Sequence, residues 1–445
     1  MSRPSLRDLL SLAWPVVVSR ATQTIVGLAD AIMVAHLGAA ALAATTAGAN
    51  NAFLVLIFPM GTVFIVQSFA SQLHGKGDVA GARRFALYGL AIALATQLLA
   101  LASLPAIAPA LSLLDYEADV REQMTAYLAL RLLSAGPAVG MEALANYYGG
   151  VGRTRVPMVA SVVAMVLNVA LNALLIDGRL GAPALGVAGA GLASTLSTGV
   201  AFAGLLAYFL RESRLTAPRL EELVRTLRFG LPSGLNWFFE FFAFAFFVNV
   251  VVAGLGTHTL AALMAVMQIN SVSFMPAFAL ASSGAILVGQ AIGRDDRDDV
   301  PRLVRMTFGT MASWQGAVGL AYLAIPAVLF APFASEPGSR EILLEAGVRM
   351  LMLSVCWQLF DSAATALSEA LRAAGDTVWP LYARLLLAWT VFVPGSWISV
   401  RVLELGELSA IAWLTIWFAL LALALFVRFR SGRWRTLEIT EPQAA

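Results

Sequence analysis

Twelve apolar stretches divide this chain, at about residues 9–35, 42–71, 84–114, 122–149, 154–177, 184–210, 224–254, 259–292, 303–333, 342–373, 378–402 and 406–429. Each reaches the roughly 20 residues that a helix needs to cross about 30 Å of hydrocarbon. Lipid offers no partner to a free backbone N–H or C=O, so these stretches are expected to be helices. Several run well past the minimum, which predicts tilt, kinks or extension beyond the bilayer. Only 13% of the residues are charged, about half the ~25% typical of soluble domains. The chain therefore reads as a polytopic membrane protein rather than a soluble one with an anchor. Cys356 is the only cysteine, which excludes an internal disulfide and a cysteine-based metal site. The opening MSRPSLRDLL has no small-residue cleavage site ahead of its apolar run, so it does not read as a signal peptide.

Basic residues give the orientation. The termini and every second loop hold 21 of the 29 Arg and Lys, among them Lys76, Arg83, Arg84, Arg153, Arg155, Arg211–Arg228, Arg294–Arg305 and Arg428–Arg435. The positive-inside rule then puts both termini in the cytoplasm, as an even number of spans requires.

The chain also repeats itself. LAWP (12–15) is echoed by FGLP (229–232), LGAAALAA (37–44) by LGTHTLAA (255–262), SQLHGKGD (71–78) by GQAIGRDD (289–296), and GVGRTRVP (150–157) by RAAGDTVWP (372–380). The order is kept at offsets of 217 to 223 residues. Six spans per half is an even number, so both halves enter the membrane from the same side. That is a parallel repeat about an axis along the membrane normal, an arrangement of transporters. The expected division is a first lobe at 1–210, a basic cytoplasmic loop at 211–228, a second lobe at 229–430 and a polar cytoplasmic tail at 431–445. Prolines recur at matched places inside spans: Pro15 and Pro232, Pro59 and Pro276, Pro105 and Pro326, Pro157 and Pro380. A mid-helix proline frees a carbonyl and permits bending, which makes Pro15 and Pro232 hinge candidates, with a static kink as the alternative.

Five acids lie within spans: Asp30, Glu142, Glu240, Asp361 and Glu369. A carboxylate at mid-membrane costs roughly 2.5–3.5 kcal/mol on insertion scales and usually faces a bundle interior or an aqueous cavity. The repeat does not duplicate these acids; Glu240 corresponds to Gln23 and Asp361 to Ala138. A scaffold requirement would treat both halves alike, so the asymmetry points to function. Glu240 shares a helical face with Asn236, four residues earlier, and Trp237 lies on the same side. A carboxylate among Trp237, Phe241 and Phe244 suits a lipophilic cation, because the acid supplies charge and the rings supply apolar area and cation–π attraction. Glu369 follows Asp361 by eight residues, about 12 Å along the same face, and is placed to pair with Arg372. Gln23 and Asp30 share a face of the first span, and Asn168 and Asn172 are one turn apart on the fifth. Arg20 is expected either to pair with an acid or to snorkel to an interface, and Glu142 to be a hydrogen-bonded buried acid or a partner of Arg131.

The chain resembles the multidrug and toxic compound extrusion (MATE) family, in particular its NorM-like branch. The residues that carry the resemblance are LAWPVVVSRATQTIVGLADAIMVAHLG (12–38), SQLHGKGD (71–78), NVALNALLI with LGVAGAGLAST (168–195), GLPSGLNWFFE (230–240), VMQIN (266–270), GQAIG (289–293) and LFDSAATALSEALRAAGDTVWP (359–380). The resemblance implies an all-α integral membrane fold with twelve helices in two six-helix lobes around a V-shaped central cavity. It implies export of cationic or amphipathic organic compounds against inward flow of H⁺ or Na⁺, by alternating access. The substrate and coupling-ion residues it implies are Glu240, Asp361, Asp30, Gln23, Asn168, Asn172, Asn236, Gln268, Trp237 and Trp357, with Na⁺ at Glu240 and Asp361 as the metal alternative. Trp357 stands where some sodium-coupled relatives carry a tyrosine hydroxyl, which favours the proton. Asn172 departs from the acid common in the DinF-like branch.

Two rival readings are weaker. DDRDD (295–299) resembles the diphosphate-binding pattern of membrane prenyltransferases. Its only acidic counterpart, 115–119, falls on the opposite side of the membrane, and Arg294 and Arg297 neutralise the run, so a solvated loop is expected. A lipid-linked precursor flippase would need a cationic cavity, whereas the spans hold five acids against three arginines, Arg20, Arg131 and Arg384. His36, His74 and His258 sit at span ends and form no cluster. The expectation is a monomeric transporter of the bacterial inner membrane in contact with lipid, not an enzyme, with no organic cofactor and no nucleic-acid partner.

Overall fold

The computed structural model describes residues 3–212, 217–333 and 340–440. Part of the basic loop (213–216) and part of the tail (441–445) lie outside the described residues. Every regular element among the described residues is helical. In chain order the helices are α1 (Leu6–Ala35), α2 (Ala39–Lys76), α3 (Val79–Ser112), α4 (Ala118–Leu132 and Ala135–Gly150), α5 (Arg155–Leu175), α6 (Val187–Glu212), α7 (Leu220–Leu255), α8 (Thr257–Gly293), α9 (Arg297–Ala324 and Pro326–Phe333), α10 (Leu343–Ala373), α11 (Val378–Val402) and α12 (Glu407–Arg430). Ten are single helices long and apolar enough to cross a membrane, and the count is twelve when the bent pairs α4 (48°) and α9 (92°) each form one span. The stretch 211–228, expected as a loop, is helical from Leu220 onward. Glu221 and Glu222 occupy the first turn of α7, where acids complement the helix dipole.

Two of the repeated motif pairs, SQLHGKGD with GQAIGRDD and GVGRTRVP with RAAGDTVWP, prove to be helix C-terminal ends, whereas LAWP and FGLP lie inside α1 and α7. After α2, α4, α8 and α10 the chain turns through a residue with left-handed backbone: Gly77 (φ 80°), Gly152 (φ 78°), Asp295 (φ 62°) and Gly375 (φ 93°). In each case the following N–H reaches back five residues, Asp78 to Leu73 O (2.9 Å), Arg153 to Tyr148 O (2.7 Å), Asp296 to Ala291 O (2.9 Å) and Asp376 to Leu371 O (2.9 Å). This is the Schellman arrangement, which satisfies carbonyls left open at a helix C-terminus. Glycine accepts positive φ without a Cβ penalty, and aspartate tolerates it better than most residues. GKGD and GRDD are therefore two solutions to one backbone demand. Asp78 then caps α3 by accepting from Gly81 N at 2.8 Å, as an N-cap aspartate should.

The matched prolines are not structurally equivalent throughout. Pro105 lies in a short 3₁₀ turn within α3, whereas Pro326 opens the second part of α9 after the 92° bend. A proline at the first turn of a helix loses no hydrogen bond, so the break at Ile325 can be sharp.

The chain divides into two compact units. The first is Trp14–Gly234; the second is Met1–Ala13 together with Leu235–Ala445. The chain thus changes unit inside α1, just ahead of Pro15, and inside α7, just after Pro232, rather than in the basic loop. Within the first unit, Gly230 and Gly234 explain the hold on the start of α7. A Cβ at Gly230 would lie 2.7 Å from Thr62 O of α2, so only glycine allows this approach, as at other small-residue helix crossings. The first unit's core gathers Val34, Met124, Tyr127 and Ala143. The second unit has two cores, one around Leu9, Leu303, Leu371 and Leu421, the other around Phe247, Trp357, Phe392 and Trp417.

The tail corrects the expectation of a polar appendage. Trp434 is 1% exposed and Ile439 fully buried. The Trp434 ring stacks on Phe429 at 5.3 Å, Arg435 pairs with Asp298 at 2.7 Å, and Arg297 donates to Leu437 O at 3.3 Å. The DDRDD run is accordingly only partly a solvated loop, since Asp299 is buried and paired with Arg302 at 2.6 Å. Trp434→Ala is expected to cost about 3 kcal/mol, the usual scale for truncating a buried aromatic. The check is the melting temperature of the purified protein; an unchanged value would show that the tail adds nothing to the second unit.

Candidate functional site

Two polar clusters inside the spans bring together sequence-derived site residues, one in each unit. The first is a closed ring of four side chains from three helices. Asp30 comes from α1, Asn168 and Asn172 from successive turns of α5, and Ser194 from α6. All four are nearly inaccessible, at 6%, 1%, 0% and 4%. Asn172 Nδ2 donates to Asp30 Oδ1 and to Asn168 Oδ1 at 3.1 Å. Asn168 Nδ2 donates to Ser194 Oγ at 2.9 Å, and Ser194 Oγ closes the ring on Asp30 Oδ2 at 3.2 Å. The carboxylate is thus solvated by protein donors in place of water, which is how a buried charge becomes tolerable. Asn172 Oδ1 is buried and accepts no hydrogen bond. That leaves an unused carbonyl oxygen on the same side chain that binds the carboxylate.

The second cluster carries Glu240 on α7, Asp361 and Thr365 on α10 and Arg384 on α11. Arg384 Nη1 forms an ion pair with Glu240 Oε1. The arginine side chain is 8% exposed and the glutamate 38%. Asp361 is half-buried and accepts from Thr365 Oγ1 at 3.3 Å. Glu240 and Arg384 are the charged groups whose fields act on its carboxyl. One turn before Glu240, Asn236 is buried with its Oδ1 unpartnered. Trp237 sets its ring edge to face with Phe278 at 5.7 Å. Both α7 and α11 pass into a π-helical turn beyond the cluster, at Phe247–Val251 and Ala388–Phe392. In α11, Pro394 lacks the N–H that would keep the regular ladder, and such wide turns recur at functional sites.

The sequence-derived residues separate accordingly. Asp30, Asn168 and Asn172 come together, as do Glu240, Asp361, Asn236 and Trp237 within one unit. Three do not join them. Gln23 is exposed on α1 although it stands two turns from Asp30. Gln268 is exposed on α8; two residues later Asn270 points inward, its Oδ1 accepting from Ser354 Oγ (3.3 Å) and from Gln358 Nε2. Trp357 is 5% exposed and belongs to the apolar core with Phe247, Phe392 and Trp417, so it lines no accessible site.

The two remaining span acids are ion-paired. Glu369 meets Arg372, both buried, as their spacing suggested. Glu142 is held by Arg20 at 2.8 Å rather than by Arg131, whose field instead reaches Asp30. Sequence reasoning missed Ser194, Arg384 and the Asn270–Ser354–Gln358 network. The available signals were an arginine inside an apolar span and polar residues repeating at one-turn spacing on α10.

The MatE family profile matches residues 15–174 and 232–398. The chain is 30% identical over 442 residues to a probable multidrug resistance protein NorM of Pseudomonas putida, covering 97% of this chain and 94% of that protein. It is 25% identical over 401 residues to the multidrug resistance protein NorM of Vibrio cholerae, covering 88% and 86%. Among solved structures, an outward-facing multidrug resistance MATE family transporter of the MOP superfamily superposes with TM-score 0.88 at 20% identity, over 97% of both chains. A MOP superfamily transporter from Pyrococcus furiosus, described as having a binding pocket of reverse polarity, gives TM-score 0.87 at 19% identity, also over 97% of both.

Proposed function

The chain belongs to the MatE family of multidrug efflux transporters, and on that premise we propose that it is a secondary antiporter. It exports cationic or amphipathic organic compounds in exchange for inward H⁺ or Na⁺. The observation that carries this reading is the pair of unlike carboxylate clusters inside the spans, one per unit. Intramembrane acids are costly and mark substrate or ion paths by default.

In this reading Glu240 and Asp361 are the cargo acids, with Asn236 and Trp237 beside them. Asp30, Asn168, Asn172 and Ser194 form the coupling-ion ring. A proton on Asp30 would remove the charge that the ring stabilises. A sodium ion would use oxygens of the kind the ring offers, the carboxylate and the open Asn172 Oδ1, since hard cations take oxygen ligands. Around Asp361 the polar company is thinner, a threonine hydroxyl at 3.3 Å, which favours the proton there. Pro15 and Pro232 serve as hinges, because the chain passes between compact units within two residues of each. The protein works as a monomer in the bacterial inner membrane, with lipid around its spans and both termini cytoplasmic.

The test is a drug-susceptibility panel in an efflux-deficient host, run with and without sodium. The chain should raise resistance to lipophilic cations, and Asp361→Asn should return it to the empty-vector level at equal expression. Resistance unaltered by Asp361→Asn would sink the assignment of the cargo site. Resistance that vanishes without sodium would assign Na⁺ as the coupling ion.

A further inference from the structure

Arg384 is the least expected member of the second cluster. A site built to take organic cations already contains a fixed cation, and a guanidinium does not deprotonate in a protein. Its side chain is 8% exposed, so it does not reach bulk water. Among the described residues its ionic partner is Glu240, while its Nε has no hydrogen-bond partner. The arginine is therefore tied to Glu240 through Nη1, and Asp361 is the other acid within reach of its field.

The charge arithmetic of the second unit follows. Glu369 and Arg372 cancel each other. Glu240 and Arg384 cancel each other. Among the described residues Asp361 has a hydroxyl partner and no ionic one, and it lies within the fields of the other two. With every group ionised, the cluster carries one net negative charge.

We propose that Arg384 is a built-in counter-cation that sets the charge of the cargo: by holding Glu240 it leaves one carboxylate to be neutralised, and so makes the carrier selective for singly charged organic cations over dications. This rests on the reading of Glu240 and Asp361 as the cargo acids. A monocation completes the balance at Asp361 and leaves the ion pair intact. A dication either enters with an excess charge or displaces Arg384 from Glu240, and a buried guanidinium without its partner is strongly unfavourable. Removing Arg384 opens both acids to the cargo and suits the site to two positive charges.

The experiment measures equilibrium binding to the full chain in lipid nanodiscs at fixed pH and salt. The probes are methylphenylpyridinium and methyl viologen, which share a biaryl frame and differ by one charge. Wild type should favour the monocation. In Arg384→Gln the ratio of dissociation constants should swing towards methyl viologen by about tenfold or more, the scale of one charge–charge interaction in a partly hydrated site. Arg384→Lys, which returns the charge, should restore the wild-type ratio. Glu240→Gln should weaken both probes, because Arg384 then cancels Asp361. The double variant Glu240→Gln with Arg384→Gln, again one net negative charge, should regain the monocation. A structural role for Arg384 predicts no such rescue. An unchanged ratio in Arg384→Gln, or a double variant no better than Glu240→Gln, overturns the proposal. Loss of both probes in a well-folded Arg384→Gln overturns it as well. If Arg384→Gln does not accumulate, the comparison of Glu240→Gln with the double variant decides alone. Asp361→Asn separates the two layers. Binding unaffected there refutes the cargo site itself, whereas binding lost there with silent Arg384 variants refutes only the charge balance.

Discussion

Asp30→Asn should abolish drug export while leaving a folded protein. The side chains around Asp30 all donate: Asn172 through Nδ2 and Ser194 through its hydroxyl at 3.2 Å. An asparagine at 30 keeps an oxygen for Asn172 and turns an amide hydrogen towards Ser194. The serine oxygen can accept it, as it already accepts from Asn168 at 2.9 Å, because a hydroxyl has two lone pairs. The ring therefore survives the substitution with both hydrogen bonds to the carboxylate weakened from charged to neutral, a loss of about 2 kcal/mol in all. What disappears is the negative charge, and with it the capacity to bind and release a coupling ion. Asp30→Ala removes the acceptor altogether and leaves buried donors unsatisfied, so it should lower the melting temperature clearly more than Asp30→Asn. Export of a fluorescent cation from loaded cells and thermal melting of the purified variants check both halves. Wild-type export in Asp30→Asn would exclude the ring from coupling, and equal destabilisation by both substitutions would mean that the charge itself holds α1 to α5.

How far the sequence leads depends on whether a feature is local. Span positions are legible because hydrocarbon demands a minimum apolar length and the chain meets it segment by segment. The repeat motifs are legible because a helix end needs a left-handed residue, and GKGD and GRDD both supply one. Asn168 and Asn172 are legible because one-turn spacing places them on one face. Their serine partner is not, because Ser194 sits among Gly, Ala and Thr residues that look alike on α6. The pairing of Arg384 with Glu240 joins helices more than a hundred residues apart in the chain, and no local pattern says which acid an intramembrane arginine meets. Gln268 and Asn270 show the same limit within one helix. Two residues of separation turn a side chain through about 200°, and α8 is so uniformly apolar that its sequence does not declare which face is inward. The family resemblance implies a site role for Trp357, which stands where some sodium-coupled relatives carry a tyrosine. Its ring instead fills the core with Phe392 and Trp417, where an aromatic of that size buries the most apolar area.

The largest stability effect is expected at Arg20 and Glu142, and its sign depends on whether one partner or both are removed. Arg20 Nη2 and Nη1 reach the two Glu142 oxygens at 2.8 and 3.3 Å, with side chains 18% and 10% exposed. Asn146 adds a weaker contact to the same carboxylate at 3.3 Å, and the guanidinium lies over the Phe64 ring at 5.7 Å. Arg20→Met strands a buried carboxylate with only an amide to solvate it, which costs about 3–5 kcal/mol for an ion pair broken on one side. Glu142→Leu strands the arginine, though the Phe64 face softens that loss by about 0.5–1 kcal/mol. The double variant removes both charges and replaces them with side chains of similar bulk. It should fall within about 1 kcal/mol of wild type, because well-packed apolar residues often match a buried ion pair. Melting temperatures of the four proteins in one detergent form the cycle, and its coupling should be at least about 2 kcal/mol. Export should follow stability, with the double variant active, since neither residue belongs to the clusters at Asp30 or Glu240. A double variant that melts like wild type yet exports nothing would instead make this pair, the first charge that α1 meets after Pro15, a working part of the transport cycle.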